Sequence, residues 1–342
     1  MTQFAITAAC AGVFFTVCLV PYSAAQRPIA APSTYRVLES IQLVGPVRWD
    51  YVVFAPETQQ LFLSRSDHVD VYDTKAKRLL GMVEDTPGVH GIALAPALNR
   101  GFTSNGHSDS VSVFALDTLK TLATVPVGKQ PDAIVYDAFS KRIFTANEDG
   151  HNLTTIDAAS LKVLGTITLP GKPEFAVVDG AGTLYVNIET KNQIAVVDTK
   201  SLKISSTIDV SAACVEPTGL AIDVVKRRLF ASCQNQKMVI VDIQTGALLM
   251  AVDIGKGTDG AGFDSSLGLA FSANGAGTLS VIAEDKPGHF VLAQTLKTIP
   301  SARTLALDAV SHKIYLPAAE REPGNSGHKA KADSFRVLVI GL

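Results

Sequence analysis

A sevenfold repeat of about 42 residues constrains this sequence more than any other feature. One copy, residues 131–172, contains four short runs with β-branched or aromatic residues, DAIVYD, KRIFTAN, LTTIDA and KVLGTITL, each bounded by turn residues. The second run of every copy carries one aromatic residue, here called the anchor aromatic: Phe62, Phe102, Phe144, Tyr185, Phe230, Phe271 and Tyr315. A period in the low forties with four strands per copy is typical of the blades of a β-propeller.

The two ends of the repeat predict how a ring of blades closes. Residues 35–44, YRVLESIQLV, resemble a fourth strand but precede the first copy, whereas the last copy ends after its third strand. Together they would complete one blade and remove the exposed edges of an open array. We therefore predict an all-β fold, a seven-bladed β-propeller of four-stranded antiparallel blades, closed by an N-terminal strand that completes the C-terminal blade. The predicted blades are 49–88, 89–130, 131–172, 173–216, 217–257, 258–300, and 301–342 with 35–44.

Residues 1–25 have the pattern of a cleaved signal peptide. An apolar run at residues 5–20 is short for a bilayer span and is followed by a proline and the small residues SAA at 23–25. No Lys or Arg precedes the run, so an uncleaved membrane segment is the alternative. We expect residues 26–34 to be a disordered leader, and the protein to be periplasmic or secreted, with no membrane span after cleavage.

Two cysteines remain once the signal peptide is removed, Cys214 and Cys233. An even number of cysteines in an oxidising compartment makes them disulfide candidates. Both are expected on one face of blade 5, so we predict a bridge between them. Two separate thiols are the alternative.

The repeat text resembles that of the YVTN-type (YncE-like) propeller repeat proteins, a secreted family. The matching stretches are HGIALAP at 90–96, TLATVPVGKQP at 121–131, KRIFTAN at 141–147 and IAVVDTK at 194–200. The resemblance covers residues 35–342 and implies the seven-bladed fold, but the family is named for its repeat and implies no reaction. Units 1, 6 and 7 depart most from the pattern: unit 6 lacks the Asp after its third strand, and unit 7 carries a long insertion.

The start of each first strand is expected to surround the mouth of the central channel. Counting back twelve residues from the anchor aromatic, or eleven in unit 4, gives seven polar positions, here called the ring: Asp50, His90, Asp132, Glu174, Thr218, Asp259 and Arg303. Such a ring predicts a ligand-binding site, although a wet channel mouth that merely tolerates polar side chains is the alternative. Four crowded carboxylates should raise at least one pKa unless a cation compensates.

The sequence does not favour a metal site. Carboxylate ligands would favour Ca²⁺ or Mg²⁺, but the ring positions lie on separate blades and are expected to be too far apart to share one ion. His68, His107 and His151 fall in loops on the same face as His90, yet they occupy different columns of the repeat. We predict solvated loop histidines, no metal and no other cofactor.

Two further features near the mouth leave alternatives open. Residues 317–334 form the only long connection, and they are either a lid over the mouth or a tolerated insertion. Trp49, the only tryptophan, precedes Asp50 and is either a stacking surface for a ligand or part of the core between blades.

The leading functional hypothesis is a monomeric, non-enzymatic binding or scaffold protein that presents this face to a small ligand, an envelope protein or a glycan. The alternative is a lactonase-like hydrolase, because a family of seven-bladed lactonases shares the fold. Its catalytic candidates are Asp132 or Glu174 as general base, His90 as acid or base, and Arg303 as an anion clamp. No catalytic motif supports it. Single-stranded nucleic-acid binding, suggested by a member of the family, is disfavoured by a net charge of −2 and the scarcity of aromatic residues.

Overall fold

The computed structural model of the chain describes residues 1–2, 34–45, 48–320, 322 and 330–342. The chain divides into residues 1–33 and 34–342, and the second unit contains seven four-stranded sheets. The predicted seven-bladed, all-β propeller is therefore confirmed. The predicted signal peptide and leader lie, except for Met1, Thr2 and Thr34, outside the described residues. Within the described part of the chain, no helix has the length and hydrophobicity that a bilayer span requires.

The strands follow one another in the order that the repeat predicts. The first strand is β1 (Arg36–Gln42). Blades 1 to 3 are β2 (Val52–Ala55), β3 (Gln60–Arg65), β4 (His68–Asp73) and β5 (Arg78–Val83); β6 (Val89–Ala95), β7 (Arg100–Asn105), β8 (Ser110–Ala115) and β9 (Thr121–Pro126); and β10 (Pro131–Asp137), β11 (Arg142–Asn147), β12 (Asn152–Asp157) and β13 (Val163–Thr168).

Blades 4 to 7 repeat the same order from the inner to the outer strand. They are β14 (Pro173–Val178), β15 (Thr183–Ile188), β16 (Gln193–Asp198) and β17 (Lys203–Asp209); β18 (Pro217–Asp223), β19 (Arg228–Cys233), β20 (Lys237–Asp242) and β21 (Leu248–Asp253); β22 (Thr258–Asp264), β23 (Leu269–Asn274), β24 (Thr278–Lys286) and β25 (His289–Lys297); and β26 (Ala306–Asp308), β27 (Lys313–Ala318) and β28 (Arg336–Gly341). Three short 3-10 helices, Pro96–Leu98, Gly106–Ser108 and Glu189–Lys191, lie in described connections.

The ring closes as predicted, because β1 forms the outer strand of blade 7. The order of this sheet is β1-β28-β27-β26, and β1 runs antiparallel to β28 with Ile41 opposite Val337. Phe54 of blade 1 stacks on Tyr315 of blade 7 with ring centroids 5.3 Å apart. A single apolar cluster thus spans the junction between the first and last blades.

The anchor aromatics set the register of the blades. All seven are between 0% and 3% exposed, and burying a large apolar side chain contributes roughly 2–3 kcal/mol. A shift of one residue along the second strand would move the aromatic to the opposite face of the blade. The period found in the sequence therefore corresponds to one packed layer between neighbouring blades.

The recurring aspartates end strands rather than carry chemistry. At the far end of the inner strand, Asp137 accepts hydrogen bonds from the backbone N–H groups of Phe139 and Ser140. The equivalent residues in blades 5, 6 and 7 bond in the same way: Asp223, Asp264 and Asp308. Asp side chains commonly stabilise turns in this manner. A different repeat position, the end of the third strand, lacks its Asp in blade 6. The third and fourth strands of that blade, β24 and β25, extend to nine residues each.

Cys214 and Cys233 are joined by a disulfide, with Cα atoms 5.5 Å apart. Cys214 lies in the connection that precedes β18, and Cys233 is the last residue of β19. The bridge therefore ties the connection into blade 5 to that blade's second strand.

Candidate functional site

A repeated hydrogen bond holds the connection that precedes each inner strand. In five blades, the first amide of the loop between the second and third strands donates to the carbonyl oxygen two positions before the ring residue. The pairs are Gly106 to Gly88 (2.9 Å), Glu148 to Gln130 (2.8 Å), Glu189 to Lys172 (2.9 Å), Gln234 to Glu216 (3.2 Å) and Gly275 to Gly257 (2.7 Å). In four of these pairs the acceptor residue has a positive φ, between 51° and 71°. The chain thus turns sharply just before it reaches the ring position.

Five ring residues form one continuous network of polar side-chain contacts. Nδ1 of His90 lies 2.6 Å from Oδ2 of Asp50 and 3.3 Å from Oδ1 of Asp132. On the other side of Asp50, Nη2 of Arg303 lies 3.3 Å from its Oδ1, and Nε of Arg303 lies 2.8 Å from Oδ2 of Asp259. The network therefore runs from blade 6 through blades 7, 1 and 2 to blade 3.

The two remaining ring residues differ from these five. Glu174 is partly buried and makes no hydrogen bond or ion pair with any described residue. Thr218 is 3% exposed, and its hydroxyl donates to the carbonyl oxygen of Thr258 over 3.1 Å. Thr218 consequently links the starts of two inner strands, whereas Glu174 presents a carboxyl group without a partner among the described residues.

Two aromatic side chains, Tyr51 and Phe175, directly follow ring residues on the inner side of blades 1 and 4. The hydroxyl of Tyr51 donates to Oδ2 of Asp132 over 3.3 Å, and its ring packs edge-on against Phe175 with centroids 5.3 Å apart. Below these two rings lies a cavity of only about 60 Å³, lined mainly by apolar residues of the inner strands such as Ile92 and Ile134. Aromatic and apolar side chains therefore line the channel next to the ring residues.

Burial and charge separate the pKa values of the ring carboxyl groups. Burial, reinforced by the charge of Asp50, raises the pKa of Asp132 to about 8. Burial raises the pKa of Asp259 to about 6 even though Arg303 opposes the shift. For Asp50 burial also acts upward, but the hydrogen bond with His90 and the charge of Arg303 hold its pKa below the ordinary value.

The pKa values of His90 and Glu174 are both raised, but for different reasons. Burial lowers the pKa of His90, but the hydrogen bond with Asp50 and the charge of Asp132 produce a net increase. Burial and the neighbouring charges, first that of Asp132, hold the pKa of Glu174 well above its ordinary value. The pKa of about 8 for Asp132 favours its protonated form at neutral pH.

A second polar layer, which the sequence analysis missed, lies above the ring on blades 3 and 4. Nζ of Lys172 lies 2.6 Å from Oε2 of Glu189 and also contacts Glu148. Carboxylate oxygens of Glu148, Glu174 and Glu189 lie within 4.8 Å of one another. A comparison of the residues four positions after each anchor aromatic would have found the two glutamates of this layer. These residues are Ser66, Gly106, Glu148, Glu189, Gln234, Gly275 and Ala319.

Possible metal-ligand atoms lie within 4.8 Å of one another in two described clusters, Asp50–His90–Asp132 and Glu148–Glu174–Glu189. The expectation that ring positions are too far apart to share one ion is therefore wrong for Asp50, His90 and Asp132. In the first, His90 and Arg303 already supply cationic partners to the carboxylates. In the second, the ammonium group of Lys172 contacts two of the three carboxylates. The absence of a metal cofactor stays a prediction.

The loop histidines do not form a cluster with the ring. His107 and His151 are exposed, as expected. His68 differs, because its side chain is only 15% exposed and its ring contacts Asp67 at 2.8 Å and Asp70 at 3.4 Å. These contacts engage His68 within blade 1.

A cavity of about 920 Å³ opens beside the ring, over blades 5 to 7 and the connection into blade 1. We call it the basic cleft and define it by six of its lining residues: Arg48, Trp49, Gln234, Lys256, Asp259 and Arg303. Arg48 and Lys256 are exposed cations without an ion pair to any described residue. No described residue pairs with Nη1 of Arg303, whose side chain is 45% exposed.

Trp49 belongs both to the core and to the wall of the basic cleft. Its ring packs against Phe335 at a centroid distance of 5.6 Å, and Nε1 has no hydrogen-bond partner among the described residues. The two interpretations from the sequence are thus compatible. Part of the predicted insertion, 321 and 323–329, lies outside the described residues. The lid and the tolerated insertion therefore both stay predictions.

Neither a scan of protein-family models nor a search of curated proteins gives a match for this chain. The propeller fold rests on the seven sheets described above. The resemblance to the YVTN-type family remains a prediction from the repeat text.

Proposed function

We propose that this propeller is a binding protein for a small ligand, and that an anionic group of the ligand occupies the basic cleft. The observation that carries the proposal is the convergence of Arg48, Lys256 and Arg303 with the indole of Trp49 on one cavity of about 920 Å³. Small-molecule sites typically measure about 300–1,000 Å³ and combine an apolar wall with a few placed polar groups. The chain as a whole has a net charge of −2, so this local excess of cations is not a general property of its surface.

Arg303 is the best-positioned of the three cations. Asp259 and Asp50 hold its guanidinium group from two sides, which reduces the conformational entropy lost when a ligand binds. Its Nη1 group remains available as a donor to an anion. Trp49 offers a flat, rigid surface to an apolar or planar part of the ligand.

The location and family are part of the same proposal. The pattern of residues 1–25 supports secretion or a periplasmic location, and a disulfide between Cys214 and Cys233 suits an oxidising compartment. The repeat text supports membership of the YVTN-type family. We expect a monomer that binds no nucleic acid; an envelope protein or glycan is the alternative partner. N-terminal sequencing of protein from the cell envelope should begin at Gln26, and an intact Met1 would contradict cleavage.

The binding proposal is tested by calorimetric titration of the full chain with dicarboxylates, phosphate and amino acids. At least one anion-bearing probe should bind, and Lys256→Ala and Arg48→Ala should each weaken binding several-fold. Lys120→Ala is the matched control, because Lys120 is an exposed lysine in the turn between the third and fourth strands of blade 2, at the opposite face. The proposal fails if no anion-bearing probe binds, or if Lys120→Ala has the same effect as the cleft variants.

A hydrolase remains the second candidate, because His90 lies between Asp50 and Asp132 and the pKa of Asp132 is about 8. Asp132 would thus donate a proton at neutral pH, as a general acid does. Lactones and esters should be assayed with the wild type, Asp132→Asn and His90→Ala. Turnover that falls in both variants would establish the hydrolase, whereas the binding proposal expects no turnover.

A further inference from the structure

We propose that the ligand of the basic cleft is a small zwitterion, such as an amino acid or short peptide, whose ammonium group lies against Glu174 and Asp132. This inference rests on the proposed function, because it assumes that the carboxylate of the ligand occupies the basic cleft. It adds a second, opposite charge to the ligand and assigns that charge to the other side of the mouth.

The mouth is electrostatically divided into two halves. On blades 3 and 4 lie four carboxyl groups, here called the acidic half: Asp132, Glu148, Glu174 and Glu189. Within the described residues their cationic partners are Lys172, which contacts the two loop glutamates, and His90, which contacts Asp132. On the opposite side, the basic cleft carries three cations and one carboxylate. The acidic half therefore has more carboxyl groups than cations, whereas the basic cleft has more cations than carboxylates.

The two halves adjoin one another across Tyr51. The hydroxyl of Tyr51 touches Asp132, and the charges of Glu174, Asp50 and Asp259 all help to raise its pKa. Asp259 is also the residue that holds Arg303 in the basic cleft.

Glu174 is the residue that most clearly lacks a partner. It is partly buried at the mouth, and no described side chain or backbone group donates a hydrogen bond to it. The nearby charges are those of Asp132, Asp259 and Glu189, opposed by Lys172. An ammonium group would supply an opposite charge and a hydrogen-bond donor to this partly buried carboxyl group.

Binding of an ammonium group should also release protons. Burial, reinforced by the charge of Asp50, raises the pKa of Asp132 to about 8 in the free protein, and burial with the charge of Asp132 raises the pKa of Glu174. Besides Glu174, the groups that face Asp132 are Asp50, His90, Tyr51, Glu148 and Asp259. An adjacent cation lowers the pKa of a carboxyl group, so a proton passes from the protein to the buffer as the ligand binds.

The experiment compares probes that differ only in their terminal groups. The full chain is titrated calorimetrically with ω-amino acids of increasing length, with glycylglycine, and with dicarboxylates and diamines of matched length. At least one zwitterion should bind about tenfold or more tightly than the matched dicarboxylate and diamine, the scale of one charge-assisted hydrogen bond. Its binding enthalpy in the wild type should vary with the ionisation enthalpy of the buffer.

Glu174→Gln is the decisive variant, because it keeps the shape of the side chain but cannot form the ion pair. It should lose the preference for the zwitterion, and the matched dicarboxylate should bind no worse than before. Asp132→Asn provides the same test if Glu174→Gln lowers the melting temperature appreciably. Lys256→Ala should weaken the zwitterion and the dicarboxylate alike.

The outcomes separate this inference from the proposed function. Equal affinity for zwitterion and dicarboxylate, unchanged in Glu174→Gln, overturns the zwitterion and leaves the anion site standing. Tight binding of Ca²⁺ that Glu174→Gln abolishes, without any zwitterion preference, also overturns it in favour of a cation site. If no anion-bearing probe binds, both the proposed function and this inference fail.

Discussion

The two ends of the inner strands differ in a way that separates structure from function. At the far end, blades 3, 5, 6 and 7 carry an aspartate that is at most 4% exposed and accepts two backbone N–H groups: Asp137, Asp223, Asp264 and Asp308. The same position is Ala55 in blade 1 and Ala95 in blade 2. At the mouth, the seven ring positions hold five residue types, and their partners change from blade to blade. One residue type with one bonding pattern in four blades indicates a folding role, whereas polar partners that change from blade to blade indicate a site.

The largest expected effect tests whether the mouth end also contributes to stability. The disulfide between Cys214 and Cys233 spans 19 positions of sequence and lies beside the one ring residue whose hydroxyl bonds only to backbone, Thr218. Replacing both cysteines with serine should lower the free energy of unfolding by about 3 kcal/mol. Chemical denaturation of the variant and the wild type measures the difference. An unchanged unfolding midpoint would contradict a structural role for the bridge.

The next effect compares one aspartate from each end of β22. Asp264→Ala leaves the N–H groups of Ser266 and Leu267 without their acceptor and removes the partner of His312, so it should cost about 2 kcal/mol of unfolding free energy. Ligand affinity should be unchanged. Asp259→Asn, at the mouth end of the same strand, should cost less stability but weaken ligand binding, since it frees Arg303. Equal effects of the two substitutions on both measurements would break the comparison.

The third prediction concerns the pH dependence of stability. The pKa of Asp132 is about 8 in the folded protein and about 3.9 in an unfolded chain. Between these values the native state holds a proton that the unfolded state has released, so the free energy of unfolding falls as pH rises from about 4 to about 8. Asp132→Asn removes this titration and should flatten the plot of melting temperature against pH. Parallel curves for variant and wild type would show that Asp132 is not buried as a protonated acid.

The smallest expected effect on stability sharpens the role of Arg303. Arg303→Lys keeps the positive charge but loses the planar guanidinium group. That group contacts Asp50 and Asp259 and still offers a donor to the ligand, which a lysine ammonium group cannot reproduce. The melting temperature should change little, whereas affinity for an anion-bearing probe should fall about tenfold, the scale of one charge-assisted hydrogen bond. Calorimetric titration checks this, and full retention of affinity would move the anion away from Arg303.

Much of the scaffold was predictable because a propeller repeats its constraints. The anchor aromatics revealed the number of blades and their register, and the partial copies at the two ends revealed how the ring closes. The same phasing found the ring residues, of which five form one network. It did not reveal that the hydroxyl of Thr218 bonds to the backbone of the next blade, since the repeat specifies where a residue lies but not where its side chain points.

The sequence by itself determined the number of blades, their order, and which residue of each blade begins at the channel. Only the tertiary structure decided which charges are paired, because ion pairing and desolvation depend on distances and burial across blades. Lys172 lies between two loop glutamates, while Glu174 on the same blade has no described partner. Arg48 and Trp49 come from the connection into blade 1, and Lys256 comes from the connection into blade 6. They line one cavity only because closure of the ring brings blades 6, 7 and 1 together.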